Sequence, residues 1–435
     1  MMPLALKGNC TLLAVFLLAD VLLANLIELD QLSNADIKSF AIRTPSYWQT
    51  RPSRGSVLQQ VLLIHASGDH APVNLSPISQ PESREFWNFH GLGQLSNRGK
   101  ARMYMLGKIM RMRYGSFLNK SVNKNKNIKS RSSDLMRCVE SAQAFLASFF
   151  ALNDPSYDAG ELVWGTHIEP IPNLWQPIGV QTVPFHIDGM LNTEANCKAL
   201  HKEEEHFYQT SQSKSMAEAS EPQVKMLQQI LNFDVEKFHQ WFWICSSIRT
   251  EVDYSPENND PTLIPITRLL KRKALLLYHG TTLTRKLRSG LLINDILTNM
   301  KEFRSTEMHA DFTPTMEIRK FVHYSAQDTN LILLLHMLKI DDPSEPPPEF
   351  GASLLIELHQ TPEDEWFVKF IYIQSVPRKP TELHFRLCEE SHPDRLCLLD
   401  RFEQLMEQYR IYNWSQWMYQ CENDHREVNM FEETF

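Results

Sequence analysis

Short apolar runs alternate along this chain with longer stretches whose apolar residues recur every third or fourth position. The run QVLLI, Gln60 to Ile64, predicts a strand buried on both faces. A turn-rich stretch follows over 66–77. Ser96 is placed to cap a helix that sets Met103, Leu106, Met110 and Tyr114 on one face. A second short strand is expected around Ile128 to Ser132. The helix after it aligns Leu135, Cys138, Ala142, Phe145 and Phe149, which puts the Cys138 thiol in the core as inert filling. Residues 185–262 differ: the polar stretch YQTSQSKSMAEASEP lies between charged and aromatic helix-like segments, as in a helical insertion. The earlier pattern then resumes. Lys320 to Ser325 reads as a strand, Leu331 to Leu338 as a helix, and Ser353 to His359 and Trp366 to Ile373 as two further strands. A βαβα pattern that returns after an interruption implies an α/β fold. The expected architecture is a mostly parallel central sheet with helices on both faces and a smaller helical insertion domain. Its core would comprise 57–184 and 263–421, with an N-terminal extension at 25–56, the insertion at 185–262 and a tail at 422–435.

Composition narrows the function. The chain has 435 residues, with 43% hydrophobic and 22% charged, as in an ordinary packed globule. Its net charge of -8 argues against a general nucleic-acid binder. One basic run stands out: 98–133 holds eleven Lys or Arg and no Asp or Glu. In so acidic a chain it reads as a solvated helix surface and loop rather than a polyanion-binding face. The histidines show no HExxH or CxxC context, so neither a metal nor another cofactor is expected.

The first residues set the compartment. Thr11 to Ala24 is apolar apart from Asp20 and follows Lys7, which suits a secretory leader cut near Ala24; an uncleaved anchor is the alternative. No later segment is long and apolar enough for a span, so the mature chain is expected to be secreted or luminal, with a lysosome as one such lumen. Secretion gives meaning to the sequons at Asn74, Asn119 and Asn413. Cys10 leaves with the leader. Cys138, Cys197, Cys245, Cys388, Cys397 and Cys421 remain, and Cys388 and Cys397 are close enough in sequence to form a local bridge.

The chemistry concentrates in VLLIHASGDHAPV, a strand running into a loop, where open α/β sheets place their ligands. Together with GLGQLSNRGKARMYMLG, RSSDLMRCVESAQAFL, NLWQPIGVQTVP, YSAQDTNL and ELHQTPEDEWFVKFIYI, it resembles the histidine acid phosphatase family, block by block in order from about residue 57 to 421. The resemblance implies phosphomonoester hydrolysis through a phospho-histidine, with arginines on the phosphate oxygens and a late His-Asp pair whose aspartate protonates the leaving group. It also implies bridges Cys197–Cys421 and Cys388–Cys397, and a homodimer. A Cys138–Cys245 bridge and two free thiols are both open.

Set against that family, this chain is depleted. Ser67 stands where the family has its nucleophilic histidine, Ala66 and His70 where it has arginines, and Gln327 where it has the late histidine. Arg131 and Asp328 keep the family's residues, and Gly68 and Pro72 keep the turn. Ser67 could be activated by His65 or His70, and His70 could gain charge below about pH 6.5. Each missing charge-stabilising donor costs ~2.7–4 kcal/mol of barrier. The expectation is therefore a secreted pseudophosphatase that binds phosphate or a phosphomonoester weakly. The alternatives are an active enzyme with a rewired Ser67/His65/His70 site, or a non-catalytic structural protein.

Overall fold

The computed structural model describes residues 55–423 apart from 77–78, 80, 119–127, 152–176, 233–237, 255–261, 279, 309–318, 340–347, 384, 386–387 and 389–395. The leader, the N-terminal extension and the Asn119 sequon lie outside the described residues, as does the tail beyond 423.

The QVLLI run is the centre of β1 (Val57–Ala66). After it come α1 (Pro81–His90), α2 (Asn97–Leu118), β2 (Ile128–Ser132) and α3 (Met136–Phe149). Helices α4 (Lys198–Gln209), α5 (Ser211–Glu218), α6 (Glu221–Leu231), α7 (Phe238–Tyr254), α8 (Leu263–Tyr278) and α9 (Thr282–Met308) follow. The chain then returns through β3 (Phe321–Ala326), α10 (Asp328–Met337), β4 (Ser353–Gln360), β5 (Trp366–Ile373), β6 (Thr381–Leu383) and β7 (Cys397–Leu398), and closes with α11 (Leu399–Met406) and α12 (Trp414–Glu422). The spacing gave no sign of α1, α11 or α12.

The sheet order is β2-β3-β1-β4-β5-β6, with β7 paired to β5. It is mixed: β2, β3 and β1 run parallel, while β4, β5 and β6 form an antiparallel continuation. Pairing brings Ala66 beside Ala326 and Ser132 beside Ser325, so three strands end at one edge. Antiparallel β4 begins there, with Ser353 opposite His65, and β5 ends there, with Ile373 opposite Ser353. Five chain segments therefore enter or leave the sheet along one line.

Alternation along β1 serves two faces. Leu62 and Ile64 join a core with Leu292, Ile296 and Met300 of α9 and Leu331 and Leu334 of α10. His65 turns the other way, against Phe145 of α3. The helices of the interruption bury a cluster of their own, from Val224 through Trp241, Cys245 and Ile248 to Leu270 and Ala274. That cluster runs past residue 262 into α8.

Ser96 does cap α2, its hydroxyl accepting from Gly99 N–H at 3.0 Å. Much of the basic run is spent internally. Arg98 and Arg102 pair with Asp69, Lys100 with Glu140, Arg113 with Glu357, Lys129 with Asp295 and Arg131 with Asp188. Cys197 bridges Cys421, and Cys388 bridges Cys397. Cys138 and Cys245 are free and buried, so the bridge between them does not form. Burial pushes both thiols up to about 12. No described helix is long and apolar enough to cross a membrane.

A buried polar chain crosses the parallel strands. His65 Nδ1 lies 2.9 Å from the Ala66 carbonyl, His65 Nε2 lies 2.7 Å from His323 Nε2, and His323 Nδ1 lies 2.9 Å from Ser130 Oγ. A carbonyl can only accept, which fixes the proton order. His65 Nδ1–H donates to Ala66, His323 Nε2–H donates to His65, and the Ser130 hydroxyl donates to His323. Both rings are satisfied when neutral, and an added proton on His65 would require His323 to change tautomer and turn its Nδ1–H toward the Ser130 hydroxyl. Burial pushes His65 down to about 4 and His323 well below its ordinary value.

The unfolded chain thus binds protons that the folded chain refuses. Stability should be complete above about pH 6.5 and fall as pH drops toward 4, with His65 alone removing on the order of 3 kcal/mol by the end of that window. Urea unfolding should show a lower midpoint at pH 5 than at pH 7.5. Equal midpoints would mean that the pair accepts a proton within the fold.

Candidate functional site

The site forms where the parallel strands end. Beyond Ala66 the chain makes a tight turn held from two sides. Ser67 C=O accepts from Gly351 N–H at 2.9 Å, and Gly68 N–H donates to Ser141 Oγ at 3.1 Å. Gly68 is required by close approach: a Cβ there would sit 2.6 Å from the Gly99 carbonyl oxygen. Asp69 is buried. Its carboxylate takes Arg98 at 3.1 Å and Arg102 at 2.5 Å, and Arg102 also clamps Ser375 and Val376. Burial raises the Asp69 carboxyl, but Arg102 and Arg98 outweigh it and hold the group below its ordinary value.

Ser67 and Ala66 are buried. Ala66 packs among core residues. Among the described residues the Ser67 hydroxyl makes no hydrogen bond to a histidine. His65 is committed to Ala66 and His323, so the expected Ser67–His65 pair is not assembled. The reason lies in the turn: strand alternation stops at Ala66, and His65 belongs to the core-facing side.

His70 is half-buried, its Nδ1 2.7 Å from the Ala71 carbonyl and its ring edge-on to Phe350 at 4.9 Å. The carbonyl fixes the proton on Nδ1 and leaves Nε2 as a lone pair. Burial, then the charge of Arg137, pushes this histidine down to about 4. Both effects oppose the expected gain of charge on His70 and move it to more acidic pH than a free histidine shows.

The late segment sits beside it. Gln327 precedes α10: its N–H donates to Asn330 Oδ1 at 3.1 Å, its carbonyl accepts from Asn330 N–H at 3.2 Å, and its Oε1 accepts from Arg137 Nη2 at 3.3 Å. Asp328 pairs with Lys271 of α8 at 2.8 Å. Burial would raise its carboxyl, but Lys271, His70 and Arg137 outweigh that and keep it below its ordinary value. Arg137, Lys271, Asp328 and His70 thus act on one another electrostatically, as one constellation.

Arg131, by contrast, is spent elsewhere. It is buried, pairs with Asp188 at 2.7 Å, and donates to the carbonyls of Ser132 and Gln181. The guanidinium at the constellation is that of Arg137. Both arginines lie in RSSDLMR, and spacing alone does not separate them. The signal that would have done so is position: Arg137 lies in the first turn of the helix leaving β2, at the ligand-bearing edge. Lys271 carried no sequence signal at all.

The described sequons differ. Asn74 is exposed, but its partner Ser76 is buried and donates its N–H to Glu251. Asn413 is exposed and caps α12 through Gln416 N–H.

Three comparisons bear on the site. Residues 76–373 match the sequence profile of the histidine phosphatase superfamily, branch 2. The match begins just beyond the Ala66–Pro72 loop, where this chain departs from the family's pattern. Human prostatic acid phosphatase is 27% identical over 378 residues, covering 85% of this chain and 90% of that protein. Human lysosomal acid phosphatase is 25% identical over 375 residues, covering 84% and 81%. Among solved structures, Hafnia alvei phytase in complex with tartrate superposes with a TM-score of 0.60 at 15% identity, over 83% of this chain and 98% of that one.

The two arginines should separate experimentally. Arg131→Ala strands Asp188 without its cation and should cost about 3–5 kcal/mol of folding stability. Arg137→Ala, which loses a long contact to Gln327 and one of the charges acting on Asp328, should cost clearly less than that. Chemical denaturation of both variants checks this, and equal losses would contradict the assignment.

Proposed function

Because this chain belongs to the histidine phosphatase superfamily, branch 2, we propose that it is an acid phosphatase-like protein in which phosphate binding persists and hydrolysis is severely impaired. The observation that carries this reading is the constellation itself. It keeps two cations, Arg137 and Lys271, beside a strand-end turn, but presents Ser67 without a base and Asp328 already paired with Lys271. Guanidinium and ammonium groups at such an edge attract a phosphate dianion. Chemistry asks for more: a nucleophile, and a proton for the leaving group. Ser67 lacks the first partner, and an ionised Asp328 lacks the proton. Ala66 and His70, neutral where the family has arginines, remove charge stabilisation of the transition state.

One observation favours a second reading. His70 is held as a neutral imidazole with Nδ1 anchored and Nε2 open. That is the form in which a histidine attacks phosphorus. In that case the chain is an active phosphomonoesterase with its nucleophile displaced along the loop.

We also place the mature protein outside the cytosol, in line with the leader-like first residues, the two disulfides and relatives that include prostatic and lysosomal acid phosphatases. The acid-sensitive His65–His323 pair favours a near-neutral extracellular setting over a lysosome. Asn413, exposed on a helix cap, is the described sequon best placed to carry a glycan. Expression in a secretory host should yield a chain shortened near Ala24 that loses mass on glycosidase treatment. A full-length cytosolic chain would remove this part of the proposal.

Hydrolysis of a phenyl phosphate ester between pH 4.5 and 7.5 should run at least ~10³-fold below that of a relative with the intact motif. Turnover near that of such a relative overturns the proposal. Loss of it in His70→Ala, with Ser67→Ala unaffected, would establish the second reading.

A further inference from the structure

One carboxylate at this edge is used neither by the family's motif nor by the proposed function. Glu194 lies on the segment between Asp188 and α4. Its surroundings are fixed at several points. Glu194 N–H donates to Asn192 Oδ1 at 2.9 Å, and Asn192 Nδ2 donates to the Phe185 carbonyl at 2.8 Å. The Thr193 carbonyl accepts from Arg288 of α9. Thr193 Oγ1 lies 3.0 Å from Thr329 Oγ1. Glu194 follows the first of these threonines and Asp328 precedes the second, so the hydroxyl contact brings both acidic residues to the head of α10.

The other acidic residues described at the site have cations. Asp69 has Arg98 and Arg102, Asp188 has Arg131, and Asp328 has Lys271. Among the described residues the Glu194 carboxylate makes neither an ion pair nor a hydrogen bond, and it reaches solvent. Charged groups on four helices act on it: Arg288 of α9, Arg137 of α3, Asp328 of α10 and Glu204 of α4. Arg288 is buried and already spent on Glu204 and the Thr193 carbonyl. Arg137 is less committed, its guanidinium donating to Gln327 at 3.3 Å. It is therefore the cation that Glu194 and an outside anion would share.

We infer that Glu194 controls anion entry to this site: its unpaired carboxylate competes with an incoming phosphate for Arg137, and a tetrahedral dianion binds well only when Glu194 carries a proton. This control presupposes the phosphate-binding reading of the site. A like charge held near the same guanidinium subtracts from the attraction on an outside anion, and protonation removes the subtraction. Burial raises the Glu194 carboxyl above its ordinary value; Arg288 and Arg137 oppose the rise, and Asp328 and Glu204 add to it. A carboxyl raised in this way takes up its proton at less acidic pH, so anion affinity increases as pH falls toward about 5. His70 and Asp328, the other titratable groups of the constellation, are displaced toward more acidic pH. On the α4 side, His201 stands 3.8 Å from Glu204.

Calorimetric titration at constant ionic strength tests the inference, with sulfate as a tetrahedral dianion whose own charge is constant from about pH 5 to 7.5, and orthophosphate at about pH 7.5 as the reference. Sulfate should bind the native chain at least about threefold tighter at the acidic end. Glu194→Gln should bind both anions at least about threefold tighter than the native chain at neutral pH, and should lose most of the pH dependence. A misfolded variant cannot mimic that gain, and the neutral-pH comparison is independent of the acid-sensitive His65–His323 pair. Glu194→Asp, which keeps the charge, should keep the pH dependence. Arg137→Ala should weaken sulfate binding in the native chain and in the Glu194→Gln chain alike. Equal affinities of the native and Glu194→Gln chains at neutral pH overturn the inference and leave the phosphate-binding reading standing. A pH dependence that survives in Glu194→Gln assigns the titration to another group, such as His70 or His201, and also overturns it. Anion binding seen in Glu194→Gln but at neither pH in the native chain would sink the earlier reading and keep this one. No binding by any of these chains overturns both.

Discussion

The register of β1 against β3 is the constraint on which the site depends. With Ala66 beside Ala326, the loop Ser67–Ala71 and the cap residue Gln327 must emerge side by side. With β2 on the far side of β3, the start of α3 and its Arg137 come to the same edge. Antiparallel β4 and β5 then supply a start and an end there, which is why Glu349, Phe350 and Arg378 gather within reach. A slip of one residue in β1 would exchange its two faces. His65 would be drawn toward α9 and α10, and Ile64 toward α3.

Charge at this edge is arranged by local compensation rather than by a uniformly positive field. Asp69 absorbs Arg98 and Arg102, Asp188 absorbs Arg131, and Asp328 holds Lys271. Each pairing lets a buried or half-buried ion persist in a low-dielectric setting at the cost of attraction for an outside anion. The positions where the family has arginines and this chain does not are filled by neutral groups.

The strands and helices that carry the site were readable from periodicity, because a run such as QVLLI and an alignment such as Met103, Leu106, Met110 and Tyr114 each admit one burial pattern. Contact across the fold was not readable. Lys271 is 57 residues from Asp328 in sequence, and nothing in a helical pattern says which residue of another element it meets. The choice between Arg131 and Arg137 turns on which side of a strand end each lies, and the family's motif holds both. The neutrality of His70 follows from burial and from a cation beside it, neither of which a loop sequence displays. His65 shows how alternation misleads at a turn: it predicts that His65 shares the outlook of Ser67, but alternation ends one residue too soon.

The Cys197–Cys421 bridge ties the first turn of α4 to α12 across 224 residues of chain. Everything between them, including α8, β3 and the whole late half of the candidate site, lies inside one covalent ring. The connections 361–365 and 374–380, between β4 and β5 and between β5 and β6, also fall within that ring. A protease cutting once in any of them would open a peptide bond without releasing a fragment. The two pieces would travel as a single species until a thiol reductant parted them, so the redox state of the surroundings, more than peptide-bond integrity, decides whether this molecule remains one body.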